Sequence, residues 1–173
     1  MTEFNYALAS LGAVATAEAS DSGYPPVQTI DANDLTRWTA SMNAGMKSLF
    51  IDLGAPQFIT SIRGLAYRSS AQVGNWQLAY SSDGVNYNLL SVFLPNTGDT
   101  TAPVGGMTAR YWRLRGVGSY WSGTFAGFYS VELWGPVEAP PPPVNPAPEY
   151  IDAWLDGIEA NYVPTIDEWL AAH

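Results

Sequence analysis

The sequence predicts an all-β domain that is followed by a proline-rich segment and a short helical tail. Short apolar runs with a period of two residues, separated by Gly- and Asp-containing turns, predict the β domain. The first 135 residues are long enough to bury roughly two thirds of the surface that the unfolded chain exposes. We therefore expect one self-sufficient core over residues 1–135, without a second folded domain.

The clearest predicted strand covers residues 76–81. Trp76, Leu78 and Tyr80 alternate with smaller or polar residues, which is typical of a strand with one face in a core. Asp83-Gly84 then supplies the turn before the next strand. This segment predicts a β-hairpin.

Two later segments show the same alternation. Trp112 and Leu114 lie on one face of a predicted strand, and Tyr111, Arg113 and Arg115 lie on the other, which we expect to be wet. Near the end of the domain, Val131 and Leu133 alternate with Glu132 and Trp134 in the same way. The tryptophans expected in the core are Trp38, Trp76, Trp112 and Trp134.

The stretch of residues 29–38 is rich in oxygen-bearing side chains. Asp31, Asp34 and Thr36 bring two carboxylates and a hydroxyl close together before Arg37-Trp38. Such oxygens suit a hard cation like calcium. The same residues also suit an ion-free loop that is held by Asx turns and an Arg37 ion pair, and the spacing alone leaves both open.

Six segments of the first 135 residues resemble, in order, the conserved blocks of the discoidin domain, also called the coagulation-factor type C domain, and of its galactose-binding carbohydrate-module relatives. They are residues 5–9, 31–38, 50–54, 76–87, 109–114 and 131–135. The resemblance covers about four fifths of the chain. It implies a jelly-roll β-sandwich that binds ligand with loops at one end.

The resemblance also implies a structural calcium ion, Ca²⁺, bound between the first loop and the last strand. The family's ligands carry over to Asp31, Asp34, Thr36 and Glu132. The family has Gly after the first Asp, whereas this chain has Ala32. If that position needs a positive φ, Ala32 is strained.

For the ligand site, the resemblance implies a binding Arg, an Asn and stacking aromatic rings. Planar polar side chains hold sugar hydroxyls, and aromatic rings cover the apolar face of the sugar. The family's His is missing, because Thr39 or Ala40 occupies that region, so galactose specificity does not carry over. The candidate ligand residues are Arg68, Asn75, Tyr120, Trp121 and Phe125.

The composition changes after Gly135. Residues 136–148 contain seven prolines, which predicts a stiff polyproline linker. Residues 149–173 then predict two short amphipathic helices, the second opened by Thr165 and Glu168 as a capping box. Helices this short need a surface to pack against, so we expect the tail to bind a protein partner or further copies of itself. Its apolar positions are Ile151, Trp154, Leu155, Ile158, Tyr162 and Trp169.

Charge separates the two parts of the chain. All seven basic residues precede residue 136 and leave the β domain at minus two, whereas the tail carries minus seven of the total charge of minus nine. Binding to nucleic acids and to anionic membranes depends on cationic side chains. The tail is therefore expected to bind neither nucleic acid nor membrane.

The residues argue against catalysis. The chain lacks cysteine and has a single histidine, the terminal His173, which argues against nucleophile–base pairs of the Ser-His or Cys-His type and against His-rich metal sites. No carboxylate pair is left over for glycoside cleavage. We thus expect no catalytic residues and no enzyme.

Two functions from different classes remain. One is a glycan or cell-surface adhesion module that is attached to a larger assembly, such as a phage virion, through the tail. The other is a purely structural decoration or tail-appendage protein of a virion. No segment reads as a secretory signal, so the expected location is extracellular or virion-associated without that export route.

Overall fold

The structure of the protein is a computed structural model, and it describes residues 2–42, 45–68, 74–95, 98–117 and 125–137. The predicted linker at 136–148, beyond Val137, and the whole tail at 149–173 lie outside these residues. The strands of the described part are β1 (Glu3–Asn5), β2 (Val14–Ala17), β3 (Trp38–Ser41), β4 (Ser48–Arg68), β5 (Asn75–Ser81), β6 (Asn88–Pro95), β7 (Gly98–Val117) and β8 (Phe125–Pro136).

The strands pair antiparallel and form a β-sandwich, which confirms the predicted all-β class. The long strands β4 and β7 run through both layers. The start of β4 pairs with β2 and with the end of β7, and β5 and β6 extend this sheet, here called the β5 layer. The rest of β4 pairs with the start of β7 and with β8, which also carries β1 and β3, here called the β8 layer.

Aromatic residues of the two layers meet in the core. The Trp76 ring of the β5 layer lies 4.7 Å from the Phe128 ring and 5.9 Å from the Trp38 ring of the β8 layer, measured between centroids. All three side chains are fully buried. Gly127 allows β3 to approach β8 closely, since a Cβ on it would lie 1.9 Å from the carbonyl oxygen of Trp38.

The predicted alternation is confirmed in β7 and β8. In β5 it holds for Trp76 and Leu78 and then breaks, because a register shift with β6 between Gln77 and Ala79 leaves Ala79 and Ser81 buried and Tyr80 half-buried. Trp112 and Leu114 are buried, whereas Tyr111 and Arg113 are half-buried. Trp134 is the exception among the four predicted core tryptophans. It is only half-buried, because it lies on the outer face of β8, where its Nε1 donates to Glu132.

The turns also agree with the sequence. Gly84 has φ 75°, as the predicted Asp-Gly turn requires, and the Asp83 carboxylate accepts the N–H groups of Val85 and Asn86 at 2.8 Å. Gly105-Gly106 also has positive φ, but it lies inside β7, close to the register shift between β4 and β7. The described residues contain two 3-10 helices, Ala9–Leu11 and Pro26–Thr29, and no helix that could span a membrane.

Candidate functional site

Several strand ends meet at one end of the sandwich, here called the loop end. Arg68, the last residue of β4, is paired with Ala126 of β8, and Ser41 of β3 is paired with Phe125. In the other layer, Asn75 is paired with Val117. Because residues 69–74 and 118–124 connect these strands, the ends of both layers lie on the same side of the molecule.

The loop end brings together the predicted ligand residues that fall on described backbone, namely Arg68, Asn75 and Phe125. Asn75 is exposed, and the Phe125 side chain is 46% exposed, although most aromatic residues of the domain are more buried. Tyr120 and Trp121 lie outside the described residues. The structure therefore brings the backbones of Arg68, Asn75 and Phe125 to one end of the sandwich, and their contact with a ligand stays a prediction.

The loop at residues 31–36 closes on itself through Asx turns. The Asp31 carboxylate accepts the Asn33 N–H at 2.9 Å and the Thr36 hydroxyl at 2.7 Å, and the Asn33 side chain accepts the Leu35 N–H at 3.1 Å. Ala32 has φ 60° and is the only non-glycine residue with positive φ in the described ranges. The position thus needs the left-handed conformation in which the family has Gly.

A charged cluster connects this loop to the end of the domain. Arg63 of β4 donates to Glu132 of β8 at 2.6 Å, to Asp99 of β7 at 2.8 and 2.9 Å and to Asp34 of the loop at 3.3 Å. The hydrogen bonds to Asp99, and then those to Glu132 and Asp34, raise the pKa of Arg63 against the opposing effect of burial. We call these four residues the Arg63 cluster.

The Arg63 cluster determines which of the predicted calcium ligands lie close together. Asp34 and Glu132 come together, but they do so around Arg63, whereas Asp31 and Thr36 bind each other. In the part of the chain that the structure describes, no group of three or more Asp, Glu or His side chains is arranged to hold a metal ion. The oxygens suit calcium in chemistry, but their arrangement does not fit it as long as Arg63 keeps its partners.

A cavity of about 280 Å³ lies beside the same loop and β8. Thr29, Ala32, Asp34 and Glu132 are among the residues that line it. Asn5 also lines it, and its side-chain oxygen accepts the N–H groups of Ala7 at 3.0 Å and Leu133 at 3.1 Å. The first and last strands are thereby joined without an ion.

Within the described ranges, Arg37 forms no ion pair of the kind that the ion-free interpretation assigned to it. Its guanidinium carbon lies 4.4 Å from the ring centroids of both Tyr24 and Tyr67 and 5.8 Å from that of Tyr129. Its Nε is buried without a hydrogen-bond partner among the described residues. The cation that meets the loop carboxylate Asp34 is instead Arg63. No local sequence pattern indicates it, because its partners come from three distant segments.

The other carboxylates that the sequence set aside have structural partners. Asp52 accepts Arg110 in two hydrogen bonds of 2.7 and 2.9 Å, and Arg110 lowers the pKa of this carboxyl. Asp83 closes the turn between β5 and β6, and the backbone N–H of Asn86 is the main cause of its lowered pKa. Both acids therefore hold the fold together.

Several solved carbohydrate-binding modules have a fold similar to that of this chain. Similar solved structures include a chitosan-binding module of a chitosanase/glucanase from Paenibacillus sp. IK-5, with 19% identity over 76% of this chain and 99% of that one and a TM-score of 0.64. The family 32 carbohydrate-binding module of C. perfringens NanJ, solved with galactose, has 18% identity over 78% and 100%, with a TM-score of 0.63. A pectin-binding module has 22% identity over 73% and 93%, with a TM-score of 0.61.

At 18–22% identity, these similarities show the fold of the chain and do not by themselves assign its ligand. A search of curated proteins found no match. The family model of the F5/8 type C domain matches residues 14–130, which is more than half of the chain and includes β2 to β7 and the start of β8. The chain therefore belongs to the F5/8 type C domain family.

Proposed function

We propose that this protein is a non-catalytic glycan-recognition module that binds a carbohydrate of a cell surface at the loop end. The observation that carries the proposal is the convergence of Arg68, Asn75 and the exposed ring of Phe125 at the end of an F5/8 type C sandwich. An exposed ring covers the apolar face of a sugar, and planar polar side chains bind its hydroxyls. The similar modules, which by name bind chitosan, pectin and galactose, support the ligand class.

We further propose that the tail at 149–173 attaches the module to a larger assembly that acts outside the cell, such as a virion. The support is its amphipathic pattern and the concentration of seven acids without a basic residue after residue 136. A partner with an apolar surface and basic edges would suit it. A chain cut after Val137 is then expected to stay folded and to keep its glycan binding while it loses incorporation or self-association.

A glycan array with the intact chain tests the loop end. Phe125→Ala is expected to weaken binding by at least about tenfold, because the ring loses its contact with the sugar face, and Arg68→Ala and Trp121→Ala are expected to act in the same direction. Phe58→Ala is the matched control. Phe58 is also an exposed aromatic residue, 48% exposed against 46% for Phe125, but it lies at the far end of the same stretch of β4.

The array also separates this proposal from a purely structural role. Binding that is lost in Phe125→Ala and kept in Phe58→Ala supports recognition at the loop end. An intact, folded chain that binds nothing on a broad array contradicts recognition and favours a structural component of a particle.

A further inference from the structure

A second cavity, of about 270 Å³, opens on the outer face of the β5 layer, away from the loop end. It lies between the edge strand β2 and the turn that joins β5 to β6. The residues around it include Thr16, Phe50, Asp52, Gly84, Tyr87 and Tyr111. Tyr111 and Val117, the latter at the loop end, are six residues apart on β7, a separation of roughly 20 Å along a strand.

Two tyrosine rings line this cavity, and neighbouring side chains contact both of them. The Tyr87 ring lies 4.7 Å from the guanidinium carbon of Arg113 and 6.0 Å from the Phe50 ring. The Tyr111 ring lies 4.8 Å from the guanidinium carbon of Arg110. A Cβ on Gly84 would come within 3.3 Å of the Tyr111 ring, so the turn approaches the ring closely because it has Gly there.

The hydroxyl groups on these walls are available to a ligand. Among the described residues, the hydroxyl groups of Tyr87, Tyr111 and Thr16 form no hydrogen bond. Each hydroxyl can donate one hydrogen bond and accept others. Aromatic surface and unpaired hydroxyl groups thus line one opening, and this combination matches a pyranose ring, which has an apolar face and a rim of hydroxyls.

The charges at the cavity are balanced. Asp52 is paired with Arg110 and also accepts the Gly54 N–H at 2.8 Å, and its carboxylate oxygens keep lone pairs that a sugar hydroxyl could reach. Arg113 stacks on Tyr87 and does not line the opening. A neutral sugar therefore fits the cavity better than a uronate or an amino sugar, each of which would bring an uncompensated charge.

We propose that Thr16, Phe50, Tyr87 and Tyr111, here called the tyrosine face, form a second carbohydrate site that takes one neutral pyranose residue. The site is distinct from the loop end and does not rest on the function proposed for it. Two sites on one domain would let the chain contact two sugars of one glycan, or of two glycans, and so gain affinity by avidity.

Backbone amide NMR shifts of the intact chain test the tyrosine face, with methyl β-D-glucopyranoside and methyl β-D-galactopyranoside as probes at up to tens of millimolar. At least one probe is expected to shift the Thr16, Phe50 and Gly84 amides in a saturable way. Tyr87→Ala should abolish these shifts. The double variant Tyr87→Phe, Tyr111→Phe keeps both rings and is expected to bind about tenfold more weakly, because it lacks the hydroxyls.

Phe93→Ala is the control on the same layer, since Phe93 is an exposed aromatic residue of β6 that does not line the cavity. It should leave the shifts unchanged. Shifts at Asn75 and Phe125 alone would support the loop end and overturn the tyrosine face, whereas shifts at Thr16 and Gly84 alone would support the tyrosine face and count against the loop end. Absence of shifts at Thr16 and Gly84 with both probes, or tighter binding of methyl β-D-glucuronide, would overturn the proposal of a neutral-sugar site.

Discussion

The Arg63 cluster and the tyrosine face differ in whether their polar groups have partners within the protein. In the Arg63 cluster, three carboxylates surround one guanidinium, and Arg63 and Glu132 are only 22% and 18% exposed. On the tyrosine face, the arginines Arg110 and Arg113 stack on rings whose hydroxyls stay unpaired among the described residues. The polar groups of the Arg63 cluster bind one another and connect the loop to the strands, and we call this cluster the clamp. The unpaired hydroxyl groups of the tyrosine face can instead bind a ligand.

Loss of the clamp is expected to have the largest effect on stability. Arg63→Ala should lower the free energy of unfolding by about 2–3 kcal/mol, because the partly buried Glu132 loses its charged donor and the remaining carboxylates repel each other. Urea unfolding measures the change. Arg115→Ala removes an exposed arginine of β7 and should stay within about 0.5 kcal/mol of the natural chain, and equal losses in the two variants would contradict a special role for Arg63.

Calcium provides the second way to test the clamp, because the ion and Arg63 compete for Asp34 and Glu132. Because Arg63 holds both carboxylates in the natural chain, we expect calcium to stabilise the variant Arg63→Gln by about 1.4 kcal/mol at ten times its dissociation constant from that variant, and the natural chain by less at the same concentration, with a chelator reversing the effect. Arg63→Gln should bind calcium more tightly, and Asp31→Asn should bind it more weakly. Thermal unfolding in the presence of calcium measures the effect. Magnesium is the control, because it requires a smaller octahedral shell. If calcium changes the melting of neither the natural chain nor Arg63→Gln, the calcium prediction is wrong.

Local patterns made much of this structure predictable. The alternation of Trp112 and Leu114 with Tyr111 and Arg113 correctly assigned the two faces of β7, because side chains alternate along any strand. The Asp83-Gly84 turn followed in the same way from the needs of the backbone. These features depend only on neighbours in the chain.

Features that depend on strand pairing could not be predicted from the sequence. Arg63 meets partners that are 29, 36 and 69 residues away, so no window of the sequence contains the cluster. The tyrosine face likewise joins β2, β4, β7 and a turn. The pair Gly105-Gly106 is typical of a turn in sequence, but it lies inside β7, next to a register shift that only the pairing with β4 reveals.

Acid should weaken the side of the domain that carries the tyrosine face. The hydrogen bonds from Arg110 to Asp52, and those from the Asn86 N–H and side chain to Asp83, lower the pKa of both carboxyls below that of the unfolded chain. Their stabilisation is therefore present above the unfolded pKa of about 3.9 and is lost as the pH falls through the lower folded pKa. Urea unfolding between about pH 6 and about pH 2 should show a smaller loss in Asp52→Asn than in the natural chain, by up to about 1 kcal/mol, and identical acid profiles would contradict this contribution.

The smallest expected effect compares two tyrosine hydroxyls. The Tyr6 hydroxyl donates to the Pro136 carbonyl at 2.7 Å and so connects the first segment of the domain to its last strand. The Tyr87 hydroxyl has no partner among the described residues. Tyr6→Phe should therefore cost about 1 kcal/mol of unfolding free energy, and Tyr87→Phe should stay within about 0.3 kcal/mol of the natural chain. Urea unfolding of both variants measures the difference. If Tyr87→Phe costs as much as Tyr6→Phe, the Tyr87 hydroxyl already has a partner within the protein, and the contrast between a closed clamp and an open face fails at that residue.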